Sequence, residues 1–316
     1  METNRREVDL PGRSSKGMNN IRLLALDIDG TILTREKQLT DRTKAAIEAA
    51  ADAGIFVALV TGRPFYGIPD ELMSLKGLGY VISSNGAVTT NLTENRILRT
   101  AYLDSKTALE IIALPRAYDL VYAVFTDGIG YTELEPFDRH LSLIDNPGLE
   151  TYIRKSRRIT YDMDRLLCNA ENGVENIWLI AHDQNERDKL NRRIRGTWDV
   201  QTVLTGKADI EIGSPLADKG MALSELASGL GVVKAEILAI GDSDNDIGML
   251  KAAGRAVAMG NAEESVKSIA HSVTGSNHED GAADVIEKLL RKDSVDRKNA
   301  SCSANITEGE PSWKSI

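Results

Sequence analysis

Two kinds of apolar spacing alternate along this chain. Short apolar runs at 21–26, 55–60, 80–83, 237–240 and 256–259 are each bounded by polar or glycine-containing turns. Runs of that length read as strands buried on both faces. The segments between and after them, 41–53, 66–75, 221–230, 247–252, 262–269 and 282–290, are read as helices. Thr40 or Asp41 is a suitable N-cap for the first helix, and Gly54 stops it. Strand, helix, strand in repetition predicts a parallel sheet with right-handed crossovers. The expected fold class is therefore α/β, a doubly wound parallel sheet.

After Asn85 the texture changes. Segments 87–90 and 96–100 flank a turn-rich stretch, as an antiparallel hairpin does. A helix at 105–118, β-like runs at 120–126 and 129–132, a strand at 176–181, a helix at 185–195 and a strand at 199–204 follow. The stretch 135–172 shows no clear period. This α+β material reads as an inserted domain. The expected division is a core of 20–85 and 206–291, an insert of 86–205, a flexible lead of 1–19 and a disordered tail of 292–316. The tail has few aliphatics and buries too little to offset its ordering entropy.

Composition narrows the function classes. A net charge of −9 over 316 residues argues against a nucleic-acid binder, which would show a basic face. No apolar run reaches transmembrane length, so no membrane partner is expected. The two cysteines, Cys168 and Cys302, form no disulfide framework or metal spacing. A reducing, cytoplasmic setting is the expectation. The four histidines, His140, His182, His271 and His278, have no ligand spacing and read as ordinary residues. Trp178 reads as core, and the basic run 154–158 as a solvated face; lining the insert and attracting anionic substrates is its alternative.

The candidate chemistry stands at strand ends. The first strand runs into Asp27-Ile28-Asp29-Gly30-Thr31. Strand residues two apart face the same way, so Asp27 and Asp29 are expected to project together. Two adjacent carboxylates repel unless they share a proton or a cation; Mg²⁺ suits oxygen ligands. The second strand ends in Thr61-Gly62-Arg63, and the strand at 237–240 in Gly241-Asp242-Ser243-Asp244-Asn245-Asp246. Asp218-Lys219-Gly220 opens a helix. Any one of these has a bland reading as turn, cap or solvated charge, and the last could be a calcium loop. It lacks the glycine and distal glutamate of an EF-hand. Together, at one sheet edge, they supply what phosphoryl transfer through a covalent aspartyl intermediate requires.

These four motifs, in this order, resemble the haloacid dehalogenase (HAD) superfamily phosphatases. The insert between the second and third makes the Cof-type branch, with its C2B cap, the best likeness. The resemblance spans about 20–290. It implies Asp27 as nucleophile and Asp29 as the acid and base for leaving group and water. It implies a Mg²⁺ site from Asp27, the Asp29 carbonyl, Asp242 and Asp246. Phosphate contacts would come from Ile28, Thr61, Gly62, Lys219 and Asn245. Asn85, at the crossing into the insert, is read as a hinge with a possible substrate contact. To act as an acid Asp29 needs a raised pKa, and the anionic Asp27 beside it is expected to raise it. The implied substrate is a small phosphorylated metabolite such as a sugar phosphate. A phosphotransferase or phosphomutase using the same intermediate, and a non-enzymatic binder on the same fold, are the alternatives.

Overall fold

Leu23–Leu26 (β1) holds the centre of an eight-stranded sheet, as a run with all four residues buried must. The computed structural model describes residues 20–144, 147–170 and 173–291. The expected lead 1–19 and tail 292–316, Cys302 included, lie outside them. The sheet continues with Phe56–Val60 (β2), Leu78–Ser83 (β3), Val88–Asn91 (β4) and Arg96–Thr100 (β5) on one side of β1. On the other side lie Ile237–Gly241, Arg255–Ala258 and Ser272–Val273.

A second, six-stranded sheet is built from Val121–Thr126 (β6), Ile129–Thr132 (β7), Arg157–Ile159 (β8), Asn176–Ile180 (β9), Gln201–Thr205 (β10) and Asp209–Gly213 (β11). Its order is β10-β11-β9-β6-β7-β8. Ile237–Gly241, Arg255–Ala258 and Ser272–Val273 are β12, β13 and β14 in chain order.

β1 pairs in parallel with β12 and with β2, Leu26 standing opposite Ile240 and Leu59. The chain winds outward in both directions from this strand. The ends of β12, β1 and β2 thus meet at the point where strand order reverses, the usual ligand edge of an open α/β sheet. Helix Asp41–Asp52 buries Ile47 and Ala50 against the sheet and is capped by Thr40, whose hydroxyl accepts from the Thr43 amide. Helix Lys219–Gly229 lies against Ile247–Ala252 so closely that a Cβ on Gly220 would meet the Gly248 carbonyl.

The second sheet alternates strictly. Tyr122, Val124, Ile177, Leu179, Ile210 and Ile212 pack with Ile111 and Ile112 of helix Ser105–Ala117 and with Leu190 and Ile194 of helix Gln184–Thr197. Their neighbours Phe125, Trp178, Ile180, Asp209 and Glu211 face the opposite way and line a cavity above the β1–β2 edge. A period of two puts core on one side of this cap and chemistry on the other.

Sheet pairing divides the chain differently from the expected 85/86 and 205/206 boundaries. Hairpin β4–β5 pairs antiparallel with β3 and extends the first sheet. β11 pairs with β10 and β9, because Ile210 and Ile212 belong to the cap's apolar cluster. The helix read at 66–75 is a short 3₁₀ turn, Phe65–Gly67, and a single helical turn, Asp70–Met73; Pro69 lies between them. The unassigned stretch holds helices Leu134–Ser142, Pro147–Ser156 and Met163–Cys168 around β8. No helix among the described residues is long and apolar enough to cross a membrane.

Candidate active site

Asp27 follows directly on β1, and its amide donates to the Ile240 carbonyl at 3.1 Å. This one bond keeps the chain on the sheet while the side chain turns to its end. Lys219 occupies the first helical position after the cap Asp218, whose carboxylate accepts from the Met221 amide at 2.8 Å. Its ammonium is 1% exposed and donates to Asp27 Oδ1 and to Asp246 Oδ1, each at 2.7 Å. A lysine at a helix N-terminus is electrostatically disfavoured there. Two buried carboxylates offset that cost.

Asp246 is fully buried. Its Oδ2 accepts from the amides of Asp242 and Ser243 at 2.9 and 3.1 Å. Gly241 is required beside it, because a Cβ there would stand 2.7 Å from the Asp246 carboxyl. Asp242 accepts from the Thr31 hydroxyl at 3.1 Å. Carboxylate oxygens of Asp27, Asp242 and Asp246 lie within 4.8 Å of one another. Burial, then the charge of Asp246, raises Asp27 well above the ordinary carboxylate range despite Lys219. Burial and Asp246 push Asp242 up to about 7. Burial pulls the Lys219 ammonium down, but its two partners outweigh that and hold it above its ordinary value. Three carboxylates against one ammonium leave negative charge to be compensated. An all-oxygen donor set of this size fits a hard divalent cation.

Gly30 sets the approach of Asp242. It has φ +85°, and a Cβ on it would run into the Asp242 carboxylate. Gly30→Ala is expected to lower stability by about 1–3 kcal/mol. It should also displace Asp242, so the check is a urea midpoint measured together with kcat; an unchanged pair would show that the loop relaxes freely.

Asp29 lines the same cavity as Asp27 but does not join its cluster with Asp242 and Asp246. β1 ends at Leu26, so the strand rule does not fix the partners of Asp29, three residues on. Asp29 instead accepts from Arg63 Nε at 2.6 Å and Nη2 at 2.8 Å, and from Lys37 at 2.6 Å. Repulsion between the pair is relieved by separate cations. The expected pKa order is reversed: burial pushes Asp29 up, but the Arg63 bonds and charge, with Lys37, outweigh it and hold Asp29 well below its ordinary value.

Thr61 follows β2, and its hydroxyl accepts from the Arg63 amide at 3.1 Å. Its carbonyl accepts from the Asn85 amide at 3.0 Å. Asn85 is held at φ 55°, accepts from Asn245 at 3.1 Å and donates to Glu211 of the cap. Ile28 is fully buried, and its carbonyl takes the amides of the tight turn Thr31–Leu33. Asp27, Asp29, Thr61, Gly62 and Asn245 line the cavity, which has a volume of about 730 Å³. Lys219, Asp242, Asp246, Ile28 and Asn85 stand behind that wall.

Several groups in the wall were not singled out from the sequence. Arg63 lay inside the Thr-Gly-Arg motif without a separate role. His140, read as ordinary, is 6% exposed and packs against Trp178 with ring centres 4.8 Å apart. Burial and the charge of Arg157 lower it to about 4, so it is neutral in the cavity wall. Trp178, read as core, lines the cavity because it sits at the odd position of β9. Arg157 turns inward from a run whose neighbours Lys155 and Arg158 are exposed.

The model of the haloacid dehalogenase-like hydrolase family matches residues 24–286. The chain is 31% identical over 286 residues to phosphatase YwpJ of Bacillus subtilis, covering 85% of this chain and 100% of that protein. It is 30% identical over 291 residues to the 5-amino-6-(5-phospho-D-ribitylamino)uracil phosphatase YwtE of the same organism, covering 85% and 98%. A solved haloacid dehalogenase-like hydrolase from B. subtilis superposes with a TM-score of 0.74 at 31% identity, covering 84% of this chain and 99% of that one.

Proposed function

This chain belongs to the haloacid dehalogenase-like hydrolases and is a phosphatase of their Cof type, and on that premise we propose that it hydrolyses small phosphomonoesters, sugar phosphates among them, through an aspartyl phosphate on Asp27 with Mg²⁺ as cofactor. The observation that carries this reading is the Asp27 carboxylate at the cavity floor, 2.7 Å from a buried ammonium and grouped with Asp242 and Asp246.

An Asp27 oxygen bonds to phosphorus as the bond to the leaving oxygen breaks. Like charges about 4 Å apart repel by about 1 kcal/mol in water and by more in a closed cleft. Lys219 offsets part of that for the approaching phosphate. The Thr61 hydroxyl and the amides of Ile28 and Gly62 are donors for the phosphoryl oxygens, and Asn245 holds the far side. Asp27, the Asp29 carbonyl, Asp242 and Asp246 would hold the cation, which supplies further charge neutralisation. Asp29 gives a proton to the leaving oxygen and later takes one from the water whose oxygen bonds to phosphorus as the bond to Asp27 breaks and frees its carboxylate. Held by Arg63 and Lys37 it is an anion, so it must loosen that pairing before it can carry the proton. The cap closes the cavity and selects the leaving group.

Dialysis against EDTA is expected to remove turnover of a phosphomonoester panel, and Mg²⁺ to restore it. Acid quench during turnover, followed by borohydride reduction and peptide mapping, should place the label on Asp27. Full activity after EDTA would refute the metal; a label elsewhere would refute the nucleophile.

A further inference from the structure

Among the described residues, Arg157 is the one charged cation of the cavity wall with no carboxylate in ion-pair contact; Lys37 and Arg63 both pair with Asp29. Arg63 pairs with Asp29, Arg99 with Glu225 and Arg187 with Asp188, all with arginine side chains at most 10% exposed. Arg157 has no such ion pair among the described residues. Its Nη1 donates to the Ser156 hydroxyl at 3.1 Å, and the Tyr152 hydroxyl accepts a further hydrogen bond from the guanidinium. Its buried Nε has no hydrogen-bond partner among the described residues. Glu211 acts on it through space, but that carboxylate accepts from Asn85 and Asn176.

The seat is built. The guanidinium lies 4.4 Å over the Phe125 ring and 5.6 Å from the centre of Trp178. Gly130, opposite it on β7, makes room: a Cβ there would stand 2.9 Å from Arg157 Cδ and 3.0 Å from both Nη1 and the Phe125 ring. Two aromatic rings hold the guanidinium in place, and its donors not taken by Ser156 and Tyr152 suit an oxyanion. Burial pulls the Arg157 pKa down, yet a guanidinium stays charged in proteins. A desolvated cation with a free donor is costly unless a ligand answers it.

We propose that Arg157 is a specificity residue that binds a second anionic group, a carboxylate or a further phosphate, on the leaving-group side of the substrate. The preferred substrates are then phosphomonoesters that carry two separated anions. This rests on the phosphatase reading above, because the first anion is the phosphoryl group at Asp27. Neutral His140 and the aromatic wall beside Arg157 add no competing charge there, and Asp209 is turned to the Trp178 indole at 3.0 Å.

The test uses matched pairs with the full-length protein and Mg²⁺: 3-phosphoglycerate against glycerol 3-phosphate, and fructose 1,6-bisphosphate against fructose 1-phosphate. The wild-type protein is expected to favour the doubly anionic member of at least one pair by tenfold or more in kcat/KM, chiefly through KM. In Arg157→Met that ratio should fall to about one, and Arg157→Lys should recover part of it. A merely structural arginine would lower both members alike and leave the ratio standing, which would overturn the proposal. So would a wild-type ratio at or below one in both pairs, a result that needs no folded variant. If no compound turns over, the phosphatase reading has failed. Calorimetric binding of the same four compounds then decides on Arg157 by the same ratio.

Discussion

Asp27→Asn is expected to lower kcat at least about a thousandfold on any phosphomonoester the protein hydrolyses. The amide has the shape of the carboxylate but cannot form the bond to phosphorus, and nothing else in the cavity floor replaces it. Lys219 is committed to Asp246 as well as Asp27, and Asp29 is tied to Arg63 and Lys37. The fold should not suffer. The amide oxygen still accepts from Lys219, and one of three crowded carboxylates has lost its charge. Burial and Asp246 raise Asp27 in the folded state. A carboxyl with a raised folded pKa favours folding only while it is protonated and detracts once the pH exceeds its ordinary value. The metal-free variant should therefore be at least as stable as the wild type at pH 7. Single-turnover kinetics and a urea titration check both halves. A kcat within tenfold of wild type would remove Asp27 from the role of nucleophile; a large loss of stability would make the kinetic result uninformative about chemistry and would contradict the charge argument.

Much of this site is legible in the sequence, because its residues follow strands. A fully apolar run ending in an acidic residue has few interpretations, and two such runs, at Leu26 and Gly241, turned out to be parallel neighbours. That alone brings Asp27 near Asp242. Lys219 was legible for the opposite reason: a cation at the start of a helix needs an explanation, and the buried carboxylates supply it. The partner of Asp29 was not legible. It depends on where the chain leaves β1: an alternation rule carried three residues past Leu26 puts both carboxylates on one cavity but says nothing of the cations that meet Asp29 there. The consequence is chemical, since Arg63 and Lys37 reverse the proton affinities expected of the Asp27–Asp29 pair in the metal-free protein.

The cap was harder for a different reason. Its strands are short, and both faces of β6 and β9 are largely buried and carry large side chains. Trp178 and Ile177 are adjacent and bulky, yet one faces the cavity and the other the apolar cluster. Without the register against β6 and β11 the sequence does not say which is which. The same ambiguity hid Arg157 within a basic run and His140 among unremarkable histidines. Hairpin β4–β5 and strand β11 exchanged sheets relative to expectation because pairing, and not chain order, decides membership.

Lys219→Met should be the most destabilising conservative change in the molecule. Methionine fills nearly the same space, so the experiment isolates charge. Without the ammonium, Asp27 and Asp246 face each other and Asp242 with no compensating cation, in a site where Lys219 and Asp246 are 1% and 0% exposed. Breaking a buried ion pair by removing one partner costs about 3–5 kcal/mol. The pH dependence gives the sign. Asp27, raised in the folded state even with Lys219 beside it, loses the cation that holds it down, so the deficit is smallest near and below about pH 4, where that carboxyl is protonated in both states, and grows as the pH rises. Urea midpoints for wild type and variant should converge in acid and diverge toward pH 7. Because the triad then carries an unbalanced charge of up to three, added Mg²⁺ should raise the variant's midpoint more than that of the wild type. Restored stability would not restore turnover, since the cation that offsets Asp27 as the phosphate approaches would still be missing. A deficit independent of pH would mean that Lys219 contributes packing alone, and a variant that keeps wild-type kcat would remove it from the chemistry.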